Sequence, residues 1–334
     1  MTCQRLALST FAVMAHVIAG GAVGAAAADY GPPANCTLGE DCFIQQLPDM
    51  DPGSGDTDPF CGTRTYDTHR GTDLRVASMA DAINTPTAVI AIEGGTVLRV
   101  RDGMADHLVE NEADSEAVEG RECGNGLVID HGDGTSAQYC HLARGSLAVA
   151  PGDTVAKGDP LGNIGASGQA AFPHVHLTVR NGDTIIDPTT GRALEAGCLA
   201  QDTQAGSLWN ATMQEAVAVD GAVIGLGVSG TLPNHDRLVR DGGPPDAAVG
   251  DGVTVGWAWF INLEGGDVVR ITLQSPTGAV FADNTLEPIE SAKAAYSAYA
   301  GRRRPPEAGL WRVIASVTRN GEEVIRQDKT VLVE

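Results

Sequence analysis

From Thr63 to about Asp187 the chain never sustains a helical period, and this limits its possible folds more than any other feature. Short β-prone runs alternate with glycine turns. They comprise Ala88 to Arg101 around Gly94 and Gly95, Leu127 to Leu142 around Gly132 to Gly134, and a Val/Leu/Thr-rich run ending at Arg180. Spacing of this kind predicts antiparallel pairs in an all-β domain.

The histidines are in phase with that pattern. His174 and His176 stand two apart within the run Val175 to Val179, so a strand points both to one face. His69 and Asp73, four apart, share a face on a strand or a helix. Gly71 and the Thr/Val content of Thr68 to Val76 favour an extended segment there. Tyr139-Cys140-His141-Leu142 supplies a further imidazole. One carboxylate and four imidazoles suit a hydrolytic zinc centre, which takes three protein ligands, keeps a position open, and needs imidazoles to move protons. A water activated by the metal then serves as nucleophile, and no serine or cysteine is required. Gly165-Ala-Ser-Gly-Gln169 lacks the last glycine of a nucleophile elbow, so Ser167 reads as a turn residue. His131 reads as a structural hydrogen-bonder in its turn, and His107 and His235 as solvated.

With these residues in place the chain resembles the M23 family of metallopeptidases, the lysostaphin- and LytM-like endopeptidases. The glycine framework agrees: Gly124-Asn-Gly126-Leu-Val-Ile-Asp-His131-Gly-Asp-Gly134, then Pro151-Gly-Asp-Thr-Val-Ala-Lys-Gly158-Asp-Pro-Leu-Gly162, then Gly165-Ala-Ser-Gly168. The resemblance covers roughly residues 60 to 190. It implies that His69, Asp73 and His176 ligate one Zn2+ and that His141 and His174 are the catalytic imidazoles. It also implies that the substrate is a peptide bond in the stem or cross-bridge of bacterial peptidoglycan. The acidic stretch Asp102 to Glu122 is then a loop walling the substrate groove, or simply a solvated insertion.

Residues 1–28 read as a secretory signal, with Arg5, an apolar run from Leu6 to about Ile18, and Ala26-Ala27-Ala28 before Asp29. Removal of that leader takes Cys3 and His16 with it and leaves a secreted or periplasmic chain without a membrane span. Six of the seven cysteines then remain, Cys36, Cys42, Cys61, Cys123, Cys140 and Cys198, an even number in a compartment that permits disulfides. The hairpin Glu122 to Leu142 opposes Cys123 and Cys140 and predicts their bridge. The other four can pair in three ways. A net charge of −21 leaves no basic stripe to neutralise phosphates, which excludes nucleic acid as a partner. The chain is expected to be a monomer.

Residues 29–62 read as an irregular Cys-containing arm, 63–198 as the peptidase domain, and 207–334 as a second domain. In the last, β runs separated by turns such as Glu264-Gly-Gly266 predict an immunoglobulin-like β-sandwich. Ser291 to Ala300 reads as its one short helix. Trp257 and Trp259 share a face, more often packing than a carbohydrate platform. Two other functions fit the same motifs: a non-catalytic LytM-like activator of a cell-wall amidase, and a secreted protease for Gly-rich proteins. The activator class loses zinc ligands, whereas this chain has every one.

Overall fold

The computed structural model describes residue 1 and residues 28–334; the secretory signal expected at residues 1–28 lies almost wholly outside the described residues. The first domain is built on a nine-stranded antiparallel sheet. In chain order its strands are β1 (Cys42–Gln46), β2 (Thr72–Val76), β3 (Ala88–Ile90), β4 (Gly95–Arg101), β5 (Asn125–Asp130), β6 (Thr135–Leu142), β7 (Thr154–Val155), β8 (Pro160–Asn163), β9 (His174–Asn181), β10 (Thr184–Asp187) and β11 (Arg192–Ala193). Of these, β3 and β8 form a separate two-stranded ribbon. The spatial order of the main sheet is β1-β2-β9-β6-β5-β4-β7, with β10 and β11 added beyond β9. Ala88 to Arg101 is therefore not a hairpin, because β3 pairs with β8 and β4 pairs with β5 and β7. The arm before Thr63 contributes β1 to the sheet.

One face of this sheet carries Leu74, Leu127, Ile129, Ala137, Tyr139, Val175, Leu177 and Val179, all buried in a single core. Period-two alternation explains it: every second residue of β2, β5, β6 and β9 is apolar, and those in between face the other way. Trp209, Met213 and Val217 close the same core from helix α3 (Ala211–Val217) and the segment before it. Two shorter helices, α1 (Met79–Asn84) and α2 (Glu112–Ala117), are capped by Ser78 and Asn111, and α2 lies in the acidic insertion.

The second domain is a seven-stranded sandwich of β12 (Ala222–Ser229), β13 (Thr254–Leu263), β14 (Val268–Gln274), β15 (Val280–Thr285), β16 (Lys293–Arg302), β17 (Gly309–Arg319) and β18 (Glu322–Val333). Sheet β12-β13-β16 packs on sheet β15-β14-β17-β18 around one apolar core, an immunoglobulin-like β-sandwich. The expected helix at Ser291 to Ala300 is strand β16. Its alanines have high helix propensity, but the segment pairs with β13 from Thr254↔Arg302 to Leu263↔Lys293, and that ladder decides its conformation.

The two domains share a buried apolar cluster. Phe43, Leu108, Ala166 and Ala170 of the first pack with Ile224, Val255, Trp257, Trp259 and Ile261 of the second, and Leu238 and Val239 come from α4 (His235–Asp241). Along β13, Ala258 and Phe260 face the sandwich core, while Trp257, Trp259 and Ile261 face the first domain. The tryptophans are interface packing, only 5% and 1% exposed.

Candidate metal centre

Asp73 lies on β2 directly opposite His176 on β9, and His176 is opposite Cys140 on β6. Side chains on the face away from the apolar core therefore converge at the middle of the sheet. His174 sits two residues earlier on the same face, and His141 follows Cys140 at the end of β6. His69 is not on a strand, because β2 begins only at Thr72. It reaches the site from a turn in which Thr68 has a φ of 67°, a conformation a β-branched residue rarely holds. His141 is likewise left-handed, with a φ of 65°. Backbone held this way persists only where the surroundings fix it, and here it flanks or carries site histidines.

The geometry falls into two groups of three donors, each with its atoms within 4.8 Å of one another: His69, Asp73 and His176, and His141, His174 and His176. In the first, His69 Nε2 is 3.2 Å from Asp73 Oδ2, and His176 Nδ1 is 2.8 Å from Asp73 Oδ1 and 3.2 Å from His69 Nε2. His174 Nε2 is 3.6 Å from the same carboxylate. All five expected site residues are thus brought together. Asp73, His69, His141 and His174 are buried, whereas His176 keeps 16% of its side chain exposed and marks the opening.

Outer contacts fix the imidazoles. His69 Nδ1 donates to the Leu47 carbonyl (2.7 Å), His141 Nδ1 to the Ser167 carbonyl (2.8 Å), and His174 Nδ1 to the Phe172 carbonyl (2.8 Å). Each bond leaves an Nε2 lone pair directed to the centre. His176 shows its Nδ1 to the centre, and its Nε2 lies 3.1 Å from the Thr178 hydroxyl. Such partners select the tautomer and orient a ligating ring.

Glycines let these partners approach. A Cβ at Gly71 would stand 2.6 Å from His176 Nε2 and against the Leu177 carbonyl. Gly124 and Gly168, both at positive φ, close on Ser167 and on Glu122 with no room for a side chain, which sets the Ser167 carbonyl under His141. The Cys123–Cys140 bridge ties the same region, and Cys36–Cys42 and Cys61–Cys198 complete the pairing.

Charge follows from the burial. The Asp73 carboxyl is held well below its ordinary value: burial opposes ionisation, but His69, His174 and His176 outweigh it. Burial and the neighbouring rings push His141 well below its usual range, and burial lowers His174. Both are neutral at neutral pH. Burial pushes His69 down, but the charge and hydrogen bond of Asp73, the Leu47 carbonyl and Asp49 together shift it upward. A buried ionised carboxylate ringed by imidazole lone pairs, with no Lys or Arg ion pair among the described residues, is a donor set suited to a divalent metal.

Sequence reasoning missed Leu47, Phe172 and the carbonyl of Ser167, since a main-chain acceptor leaves no mark in residue type. Among the other histidines, His131 Nδ1 donates to the Gly94 carbonyl and His107 pairs with Asp114, so neither joins the centre.

Residues 67–188 match the sequence profile of Peptidase family M23. Among solved structures the chain is similar to the catalytic domain of the prophage-encoded M23 protein EnpA from Enterococcus faecalis, at 20% identity over 44% of this chain and 88% of that one, with a TM-score of 0.30. It is similar to the catalytic domain of the antimicrobial peptidase lysostaphin from Staphylococcus simulans, at 22% identity over 36% and 77%, with a TM-score of 0.26. It is also similar to the M23 metalloprotease pseudoalterin from the deep sea, at 20% identity over 50% and 79%, with a TM-score of 0.32.

Proposed function

Since residues 67–188 match the profile of Peptidase family M23, we propose that the chain is a secreted or periplasmic zinc endopeptidase of that family that hydrolyses peptide bonds of bacterial peptidoglycan. In this reading His69, Asp73 and His176 hold one Zn2+, and His141 and His174 are the catalytic imidazoles. The observation that carries it is the sharing of His176 by both donor groups. The group containing Asp73 brings the negative charge a divalent cation needs, and the all-imidazole group beside it is suited to proton transfer.

A zinc ion held there supplies Lewis acidity toward the scissile carbonyl and toward a water molecule. The rest of the chemistry belongs to the side chains. His141 and His174 are neutral, with Nδ1–H engaged and Nε2 free, so each can take a proton from the attacking water and return one to the departing amine. An imidazole that has gained the proton stabilises negative charge developing on the carbonyl oxygen. Secretion is supported by three disulfides that pair every cysteine from Cys36 onward. Among the described residues no helix is long and apolar enough to cross a membrane.

The test is elemental analysis of the purified chain together with mass spectrometry of digested sacculi. About one zinc per chain and new peptide termini, absent with His174→Ala, are expected. Zinc-free protein that releases nothing alone, yet accelerates an added amidase, would replace this reading with that of a non-catalytic activator.

A further inference from the structure

The face that carries the metal centre continues sideways into a groove of about 330 Å3 whose walls are unlike the rest of the protein. From His176 on β9, that face runs through Thr178 and Arg180, through Gln138 on β6, through Val128 on β5, and onto Arg99 and Arg101 of β4. A bulge between Val97 and Arg99 shifts the register so that Arg99, opposite Val128, falls on this face. Arg121, from the segment after α2, closes the far wall.

The chain as a whole has 43 acidic and 22 basic residues, about two to one. Here the ratio is reversed. Arg99, Arg101 and Arg121 line the groove, Arg70 and Arg180 stand within charge range beside it, and among the described residues none of the five forms an ion pair. Carboxylates near these arginines include Glu122, which lines the groove, and Asp183, whose charge reaches Arg180. Glu122 accepts from the Gly120 N–H, and Asp130 from the Gly132 N–H. Arg101 Nε donates to the Gly124 carbonyl and Arg121 donates to the Ala117 carbonyl (2.9 Å), so neutral acceptors hold two guanidinium groups in place, and Glu122 is the one carboxylate among the lining residues. Partial burial lowers the pKa of Arg180, and the like charges of Arg70 and Arg99 lower it further. Crowded like charges cost the fold energy, and an arriving anion offsets that cost.

Resting on the peptidoglycan-peptidase reading, we infer that this arginine-walled groove is a substrate subsite that selects peptides bearing free carboxylates, the acidic stem peptide rather than an uncharged glycine cross-bridge. The reach is appropriate. From β9 to β4 is three inter-strand spacings, ~14 Å, so an extended peptide places a carboxylate there roughly four residues from the scissile bond. Guanidinium recognises carboxylate by paired, charge-assisted hydrogen bonds that a carboxamide cannot reproduce.

The experiment uses the zinc-loaded full chain and two soluble stem peptides that differ only in carboxylate against carboxamide at that distance. The wild type is expected to favour the carboxylate peptide by at least about tenfold in kcat/KM, an advantage that shrinks at high salt. Arg99→Gln with Arg180→Gln is expected to bring the ratio near one through loss on the carboxylate peptide, with Arg99→Lys keeping part of it. Calorimetric binding of both peptides to His174→Ala is measured alongside. Equal cleavage of the two peptides, with a ratio the arginine changes do not move, would overturn the subsite while leaving the peptidase reading intact. Arginine-dependent binding of the carboxylate peptide with no cleavage would keep the subsite and remove the peptidase reading. Binding of neither peptide, or tighter arginine-dependent binding of a glycerol-phosphate polymer, would overturn the subsite as a peptide selector.

Discussion

Trp259 of the sandwich is stacked, through two further side chains, on His174, and its removal tests whether the second domain positions the site. Its ring lies 5.0 Å from the Arg75 guanidinium, Arg75 lies 4.6 Å from the Phe172 ring, and Phe172 lies 4.5 Å from His174. Arg75 is opposite His174 in the β2–β9 ladder, is fully buried, and donates to Gln45 and to the Val76 and Ala77 carbonyls. Trp259→Ala removes a side chain that is 1% exposed and leaves a cavity at the domain interface. Such truncations cost about 3–5 kcal/mol, and the lost cation–π face adds to the upper end.

Trp259→Phe is the informative partner. The indole Nε1 is buried with no hydrogen-bond partner among the described residues, a burden of ~1–3 kcal/mol that phenylalanine does not carry. The gain offsets the lost ring area, so this variant is expected within about 1 kcal/mol of the wild type with Arg75 still stacked. Urea unfolding should show one cooperative transition for the whole chain, because the apolar cluster joins both domains. In Trp259→Ala, a shift of His174 on the order of 1 Å would lower kcat roughly 10²-fold while zinc content stays unchanged. Full turnover in a folded Trp259→Ala protein that has lost ~3 kcal/mol of stability would refute the positioning argument. A Phe variant as unstable as the Ala variant would refute the account of Nε1.

Three further outcomes are expected. His69→Ala and Asp73→Ala should lose metal and activity together in paired elemental and activity assays, whereas His174→Ala should keep metal and lose ~10²–10⁴-fold in turnover. Replacing Cys123 and Cys140 together by alanine should cost ~2–4 kcal/mol in chemical denaturation and loosen the strand that presents His141. Asp187 is fully buried, and burial outweighs the hydrogen bonds from Thr189 and Thr190 to raise its pKa to about 6. The folded state therefore holds that proton more tightly than the unfolded one. Stability from this group is present below about pH 4 and is lost as pH rises through about 6. At roughly 1.4 kcal/mol per unit, Asp187→Asn should gain up to about 3 kcal/mol relative to the wild type between pH 4 and 7; a difference that is flat with pH would refute it.

Much of the centre was legible because strand periodicity is a local signal. An H-x-H in a Val/Leu/Thr run places two imidazoles on one face whatever the rest of the chain does, and the β2–β9 register then sets Asp73 against His176. The Cys123–Cys140 bridge followed from the same hairpin logic. Where local signal and long-range pairing disagreed, pairing won. Ala88 to Arg101 carries the glycines of a hairpin but divides between two partners, and the alanine-rich Lys293–Arg302 segment became a strand because β13 offered it a ladder.

Arg75 shows why the remainder was hidden. In sequence it is a charged residue between Leu74 and Val76, which on an alternating strand reads as a solvated position. It is buried because Trp259 covers it from a domain whose approach nothing near Arg75 encodes. The same reasoning separates the candidate site residues from what orients them. His69, Asp73, His141, His174 and His176 are chemically distinctive and stand out in a bare sequence. Leu47, Ser167 and Phe172 act through carbonyl oxygens that any residue would provide. Their constraint is on backbone path and falls on neighbours instead: Gly71, which must clear His176, and Gly124 and Gly168, which must let Ser167 approach. The glycine framework is therefore the sequence trace of the outer contacts. Substituting alanine at Gly124, against the Ser167 carbonyl, should disturb the His141 tautomer while leaving His69, Asp73 and His176 in place.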